Sequence, residues 1–490
     1  MKEKLTILLL VCAGLLVAGG GQSPAPAPQE QMNHPDIQEM QHNMPGMQPS
    51  EIPRQTTGPQ TPITDLLKDV AARTPMHLEE FQQFALATNP TLQQANALVR
   101  RSAAQARQAG LYPNPSVGYQ GEQIRGGDYR GGEQGAFVQQ TFVLGGKLGL
   151  RRNVYEQQRR QDEIGSSEQR YRVLSDVGQT FYSALAAQEI VNVRRRLLSL
   201  AMDAVETAHQ LGNVGQADAP DVLQAEVEAE QAEIDYTTAE RGFLQAFRSL
   251  AALVGKPELA ASPLQGDLEH PPEISADQIV NQIIQDSPSV KRAQQGIVRA
   301  EAEVKSAKRE SVPDLQVHAG LQQNFEPING FNGTPVGLQG FATVGINLPI
   351  FNRNQGNVSA AQAELERAQA EVTRVQLSLR QITQPLLQAY LSSQVEAARY
   401  KDEMIPRAAR AYRLYLTKYQ QMGAAYPQVL VSQRTLFQLQ IGYIHALRSL
   451  WTTAIALQNY TLSSGLDAPA LSGNYDGTLN LPNSSSGGGQ

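Results

Sequence analysis

The strongest constraint on this fold is a heptad pattern of apolar residues that occurs twice, 207 residues apart (Val222 to Val429). In the first copy the apolar residues alternate in steps of three and four: Val222, Ala225, Ala229, Ala232, Tyr236, Ala239, Phe243, Ala246, Leu250 and Leu253. The second copy keeps this register: Val429, Ser432, Leu436, Leu439, Tyr443, Ala446, Leu450, Thr453 and Leu457. Such a pattern is typical of coiled coils, so the chain contains a duplicated coiled-coil unit.

The composition favours long solvated helices over thick globular cores. The 490 residues include one Trp and 41% apolar residues, and the mean hydropathy is below zero. The net charge of -6 is mild, and the arginines are spread among acidic and amide side chains. A nucleic-acid partner is therefore not expected, because such partners require a clustered basic face.

Residues 1–20 have the composition of an export signal. Lys2 and Lys4 precede an apolar run from Leu5 to Val17, and small residues follow it. The run is too short to span a bilayer comfortably. The single cysteine, Cys12, lies within it, so neither disulfides nor thiolate metal sites are expected after export.

Residues 21–75 are rich in Pro, Gln, Met and Thr and lack sustained periodicity, which predicts a disordered periplasmic segment. This segment has an unusual group of thioether and imidazole side chains: Met32, His34, Met40, His42, Met44 and Met47. Cu(I) and Ag(I) accept such soft ligands. Two interpretations stay open: a metal-binding segment, or a tail that carries Met and His by chance.

Two long helical hairpins are predicted. The helical pattern runs from Lys147 to Leu211 without a proline, and its equivalent starts near Asn354 and contains Pro385 and Pro406. Each proline is expected to bend that second helix. Glycine-bearing turns at Gly215 and Gly423 separate each long helix from its heptad partner.

A pair of alternating segments precedes each hairpin. Apolar and polar residues alternate at about 314–348 and, more weakly, at about 115–142, with glycine-rich loops between the strands. Strands of about ten residues are typical of outer-membrane β-barrels, although a soluble hairpin with one wet face has the same pattern. Since four strands cannot close a pore, a membrane interpretation requires several chains to share one barrel.

The chain resembles the TolC-type outer-membrane efflux proteins, in particular the heavy-metal branch (CusC- and CzcC-like), from about Met76 to Gly465. The resemblance depends on the duplication, on the two glycine turns, and on Asn89-Pro90 and Ser287-Pro288 opening the repeats. It also depends on two strand-to-helix junctions: Gln140-Thr141-Phe142-Val143-Leu144-Gly145-Gly146-Lys147 and Leu348-Pro349-Ile350-Phe351-Asn352-Arg353.

The resemblance implies a fold that is mainly α with a β-barrel portion. Repeats at 76–272 (hairpin 147–255) and 273–465 (hairpin 354–464) would be followed by a flexible tail at 466–490. Three copies would form a twelve-stranded outer-membrane barrel, continued by a periplasmic α-barrel. The implied function is a passive exit duct, without a cofactor, in a tripartite pump with a periplasmic adaptor and an inner-membrane RND pump. The Met/His group favours heavy-metal ions such as Cu(I)/Ag(I) or divalent metals as the cargo.

The same resemblance assigns roles to the turns. Gly215 and Gly423 would lie at the tip that docks the adaptor, and Asp218 and Asp221 would ring the aperture with carboxylates. Helix capping is the alternative role for these aspartates. The second turn has no acidic residue, which departs from relatives whose inner hairpin carries an aspartate gate.

No lipid anchor is expected, although metal-efflux relatives often carry a lipidated cysteine. Cys12 is preceded by Val11 rather than by a small residue. Detection of diacylglycerol on the exported N-terminus by mass spectrometry would contradict this expectation.

Other functions remain as alternatives. None of the seven histidines has the spacing of a catalytic triad or metal site, so an enzyme is not expected; His318 lies on the polar strand face and is a candidate for lining a lumen. A structural periplasmic coiled coil would account for the heptads and leave the strands unexplained. Multidrug efflux and type I secretion use similar channels, so they stay open beside metal export.

Overall fold

A computed structural model describes residues 67–126, 129–213, 218–328, 333–421 and 426–470, all of which lie in one compact unit within Asp65–Gln490. The predicted export signal, the Met/His group, Gly215 and Gly423 lie outside the described residues, as does the tail from residue 471.

A short helix precedes the first repeat, which begins with two helices and two strand pairs. In chain order the elements are α1 (Lys68–Ala71), α2 (Leu78–Thr88), α3 (Pro90–Ala109), β1 (Ser116–Glu122), the short strands β2 (Arg125–Gly126) and β3 (Tyr129–Arg130), β4 (Glu133–Phe142), α4 (Lys147–Asn213) and α5 (Ala219–Leu253). Val70 of α1 is buried, so the end of the segment predicted to be disordered is instead packed.

The second repeat follows a similar order, with two strands in the described residues and with its long helix divided by a π-helical turn. Its elements are α6 (Ala276–Asp286), α7 (Pro288–Arg309), β5 (Leu315–Pro327), β6 (Pro335–Ile346), α8 (Gln355–Arg399), a π-helical turn (Tyr400–Met404), α9 (Ile405–Gln420) and α10 (Tyr426–Gln458). Asn89 and Ser287 cap α3 and α7, and each helix starts with a proline whose missing N–H costs no helical hydrogen bond there.

The first hairpin confirms the heptad prediction. Helix α4 has 67 residues, which corresponds to about 100 Å of helix. Along α5 the predicted seam residues Ala225, Ala232, Tyr236 and Phe243 are buried, and α5 packs against α4. Apolar burial along this seam therefore holds the hairpin together.

The first long helix of the second hairpin departs from a strict heptad near Pro385. A heptad step of three from the buried Leu379 would bury Ile382, but Ile382 is 46% exposed, and Thr383 and Leu387 are buried instead. These two consecutive steps of four follow the drift of a 3.6-residue helix relative to a strict heptad. Helix α8 continues through Pro385, whereas Pro406 follows the π-helical turn, where the α-helical hydrogen bonding is already interrupted.

The strands of both repeats form one antiparallel sheet of four strands in the order β1-β4-β5-β6. One row across the sheet contains Tyr119, Ala136, Leu321 and Gly340. The alternation therefore gives one apolar face and one polar face, as predicted. The apolar face is open, with Val117 exposed by 74% and Leu338 by 70%.

A band of irregular chain packs around the middle of the hairpins. Met76 pairs with Leu264, and Trp451 stacks on Tyr182 with ring centroids 3.7 Å apart. Trp451 Nε1 also donates to the carbonyl oxygen of Leu268 over 2.8 Å. These contacts bind the loop after α5 to both hairpins.

The first residues of the predicted tail are packed as well. Arg292 donates to the carbonyl oxygen of Ala470 over 2.7 Å, and Gln169 donates to that of Asp467 over 3.3 Å. The flexible tail was therefore predicted to begin too early, at residue 466.

In the described ranges, no helix has an apolar stretch long enough to cross a membrane.

Candidate functional site

The ends of the two hairpins lie near one another, and the described residues there include both candidate aspartates. Helix α4 ends at Asn213, and α5 begins at Ala219. Helix α9 ends at Gln420, and α10 begins at Tyr426. We refer to Asp221, Glu228, Tyr419, Tyr426 and Arg434, which cluster here, as the tip cluster.

Asp218 occupies the N-cap position of α5, but its carboxylate makes no capping hydrogen bond. Instead, its backbone carbonyl accepts from the N–H groups of Asp221 (3.0 Å) and Val222 (3.4 Å). Asp218 is exposed and Asp221 is half-buried. The carboxylate of Asp218 is therefore not used as a side-chain cap and remains open to solvent.

Asp221 lies close to two tyrosines of the second hairpin. The rings of Tyr419 and Tyr426 are 5.5 Å apart. Burial raises the pKa of Tyr419, and the negative charge of Asp221 raises it further. The pKa of Tyr426 is raised to about 12, first by burial and then by four neighbouring groups: Tyr419, Glu228, Tyr412 and Asp221. Both phenols therefore stay neutral at physiological pH.

An ion pair joins the two hairpins beside the tyrosines. Arg434 of α10 donates through Nε to Glu228 Oε1 of α5 over 2.8 Å, and Arg434 Nη2 also contacts Glu228 Oε2. The Glu228 side chain is 12% exposed and that of Arg434 is 50% exposed. This two-pronged geometry makes the pair stronger than a single surface contact.

A second polar contact lies within the first hairpin, where His209 Nε2 is 3.1 Å from Glu226 Oε1. Sequence reasoning missed both the Arg434 pair and the tyrosines. A usable signal existed, because Glu228 and Arg434 are charged residues next to the apolar seam, where coiled coils place interhelical ion pairs.

The strand-to-helix junction of the first repeat is held by a buried cation. Lys147 is 4% exposed and contacts Asp314 over 2.6 Å, while Arg151 donates twice to Glu310 over 2.7 Å. Gly145 has φ +70°, a conformation that favours glycine. These contacts fix the sheet on the helices.

The polar face of the sheet carries a hydrogen-bonded network at its loop end. Glu133 accepts from Gln322 and from Asn324, the latter over 2.8 Å. The buried Asn324 side chain also donates to Gln339 Oε1 over 3.4 Å and accepts from the N–H of Glu326. The carboxylate is thereby held by neutral amides.

The part of the chain that the structure describes contains no group of three or more His, Cys, Asp or Glu side chains suited to a metal ion. The Met/His group predicted to bind metal lies outside it.

The model of the outer membrane efflux protein family matches residues 82–256 and 279–461, and therefore both repeats. The chain belongs to this family. It is an outer-membrane efflux channel and not an enzyme, and membership rules out the alternative of a purely structural coiled coil.

Individual relatives agree with this assignment. The chain is 28% identical over 386 residues to the cobalt-zinc-cadmium resistance protein CzcC of Cupriavidus metallidurans, covering 78% of this chain and 89% of CzcC. It is 25% identical over 295 residues to the nickel-cobalt-cadmium resistance protein NccC of Alcaligenes xylosoxydans xylosoxydans, covering 59% and 64% of the two chains.

Among solved structures, CusC matches with a TM-score of 0.64 and 17% identity, over 79% of this chain and 92% of that chain. The predicted TolC-like fold is therefore confirmed.

Proposed function

We propose that three copies of this chain form the exit duct of a tripartite efflux pump for heavy-metal ions. The observation that carries the proposal is the open four-stranded sheet. Among the described strands, β1 and β6 each have one neighbour, so each leaves an edge of unpaired N–H and C=O groups. Membrane sheets must close, because lipid cannot hydrogen-bond such edges.

The exposed apolar face supports a position in lipid. Tyr119, Leu321 and Val344 are each more than 60% exposed on that face, whereas the opposite face carries Gln, Asn, Glu and His. Closing three sheets edge to edge gives twelve strands, with the apolar face toward lipid and the polar face toward water.

The proposed cargo is supported by CzcC and NccC, whose names specify cobalt, zinc, cadmium and nickel resistance. A deletion strain should become sensitive to these ions, and a plasmid copy of the chain should restore growth. Copper, silver, toluene and antibiotics form the comparison arms. Unchanged metal sensitivity combined with new sensitivity to toluene or antibiotics would replace the cargo with organic compounds.

The tip is proposed to dock a periplasmic adaptor of an inner-membrane RND pump, through Gly215 and Gly423. Gly215→Glu and Gly423→Glu should abolish metal resistance without loss of trimer. Gly242→Glu is the matched control, because Gly242 lies on α5 with nothing within 4 Å of an added Cβ. Equal resistance in all three variants would contradict docking at these turns.

The tip cluster is proposed to close the duct at rest. Arg434 and Glu228 join the hairpins, while Asp218 and Asp221 supply carboxylates at the aperture. Separating the hairpins would break the Arg434 pair and move Asp221 of α5 away from Tyr419 and Tyr426 of the second hairpin, so opening has an electrostatic and a packing cost.

The Met/His group is proposed to bind Cu(I) or Ag(I) through Met32, His34, Met40, His42, Met44 and Met47. Anaerobic Cu(I) titration of a peptide covering residues 32–47 should give tighter binding than a peptide with the same residues in scrambled order. Equal affinities would remove this site. The predicted export signal at residues 1–20 supports this proposal, because export would bring the segment into the compartment of the proposed duct.

A further inference from the structure

His318 is the one histidine on the polar face of the described sheet. It lies on β5 in a row with Ser116, Gln139 and Thr343. All three neighbours in this row are neutral. The row crosses the whole sheet, so a closed barrel would repeat it around the circumference.

Two phenylalanine rings hold the imidazole in place. The ring of His318 is 4.8 Å from that of Phe137 at 75°, and 5.2 Å from that of Phe341 at 58°. Both phenylalanines belong to a neighbouring row, where they alternate with Gly118 and Gly320. The imidazole is therefore positioned by packing against rings on both adjacent strands.

These rings lie along the sheet instead of projecting from it. A Cβ atom added to Gly118 would come within 2.6 Å of the Phe137 ring, and one added to Gly320 within 2.6 Å of the Phe341 ring. Each ring thus covers the glycine of the strand beside it. His318 itself is half-buried, so part of its imidazole is open to solvent on the polar face.

The charged groups that face His318 from the neighbouring elements are distant or paired. Glu133 of β4 and Glu122 of β1 lie six rows away, about 20 Å along the strands, and amide side chains hold Glu133. Toward the helices, Asp314 is paired with Lys147. In its row of the described sheet, the imidazole is the side chain that can take up a proton, since the other members are Ser116, Gln139 and Thr343.

We propose that His318 sets the balance between cations and anions in the duct, in a pH-dependent way. Protonation adds one positive charge per subunit to the lumen wall, which opposes cations and favours anions. The inference rests on the proposed trimeric duct, since it requires the polar face to line water. Acidification on the outer side would then oppose the return of expelled cations.

Planar-bilayer recordings of the full chain in a KCl gradient test the proposal. Between pH 7.5 and pH 5.5 the ratio of cation to anion permeability should fall about twofold, because water and salt partly screen charges at about 10 Å. His318→Gln should retain conductance and lose this fall. An equal fall in His318→Gln would overturn the proposal.

A thiol at the same position separates charge from any change in folding. The sequence holds one cysteine, Cys12, so His318→Cys supplies a thiol within the sheet. A cationic methanethiosulfonate should lower the permeability ratio, and an anionic one should raise it. Ala319→Cys is the matched control, because Ala319 is the next residue on the opposite face.

The outcomes separate the two proposals. Modification of His318→Cys that leaves the ratio unchanged, in channels that conduct, would overturn the role of His318 and leave the duct intact. Absence of any conductance from the wild-type protein would overturn the duct, and this inference with it.

Discussion

Removing the cation of the tip cluster should open the resting duct. Arg434→Gln deletes both contacts with Glu228, and these contacts join α10 to α5. A two-pronged pair with one half-exposed partner contributes about 1 kcal/mol after allowance for solvent screening. Three subunits then contribute about 3 kcal/mol, which corresponds to a shift of roughly 150-fold toward the open state.

Single-channel recordings in planar bilayers measure this shift directly. Arg434→Gln should raise the ratio of open to closed time at rest by roughly 150-fold. Arg374→Gln is the matched control: Arg374 is paired with Glu371 over 2.7 Å within α8, so its loss cannot separate the hairpins. Unchanged conductance in a trimeric Arg434→Gln protein would refute the assignment of this pair to the closed state.

The charge exchange Glu228→Arg with Arg434→Glu tests the pairing itself. If attraction between the two side chains holds the tip, the double variant should conduct less than either single change. A double variant as open as the single variants would mean that local packing, and not the pair, keeps the tip closed.

Three further predictions concern stability. Gly320→Ala should lower the dissociation temperature of the trimer on heated gels, because the added Cβ would clash with the carbonyl oxygen of Ala136. Gly345→Ala should not lower it, because the space around Gly345 is open. Equal dissociation temperatures in the two variants would contradict this packing. Asp314→Asn should lower the free energy of unfolding by about 3 kcal/mol, since the buried Lys147 loses its carboxylate; a loss below 1 kcal/mol in denaturant titrations would count against this. Burial raises the pKa of Glu303 above 4.5, so the folded state holds the carboxyl proton more tightly than the unfolded chain does. The stability that this proton contributes is complete below pH 4.5 and is lost as the pH rises through the folded pKa. The melting temperature should therefore fall less between pH 5 and pH 7 in Glu303→Gln than in the wild-type protein. An equal fall in both proteins would disprove the role of Glu303.

Much of the fold follows from two periodicities in the sequence. The steps of three and four predicted the buried seam from Ala225 to Phe243, and the alternation around Leu321 predicted which sheet face is apolar. Both patterns are local, because burial of one helix stripe or one sheet face fixes the spacing along the chain itself. The long helix α4 was predicted to within a few residues for the same reason.

The remaining features depend on contacts between distant segments. Their places beside the seam mark Glu228 and Arg434 as candidates for ion pairs, but no spacing rule identifies them as partners. Nor does any spacing rule place the tyrosine pair beside Asp221, because these contacts arise where two hairpins meet. The pairing of β4 with β5, which unites the repeats in one sheet, is equally absent from any single repeat. The shift from Ile382 to Thr383 reflects helix winding that a strict heptad ignores.

The two free strand edges also govern how such a subunit must be made. Until β1 and β6 pair with neighbouring subunits, each newly made chain carries two unpaired strand edges, which can pair with strands of other proteins. Escort factors and rapid delivery to lipid would suppress misassembly, and overproduction would favour aggregates. Correct assembly of this protein therefore depends on the local concentration of subunits as much as on the folding of each chain.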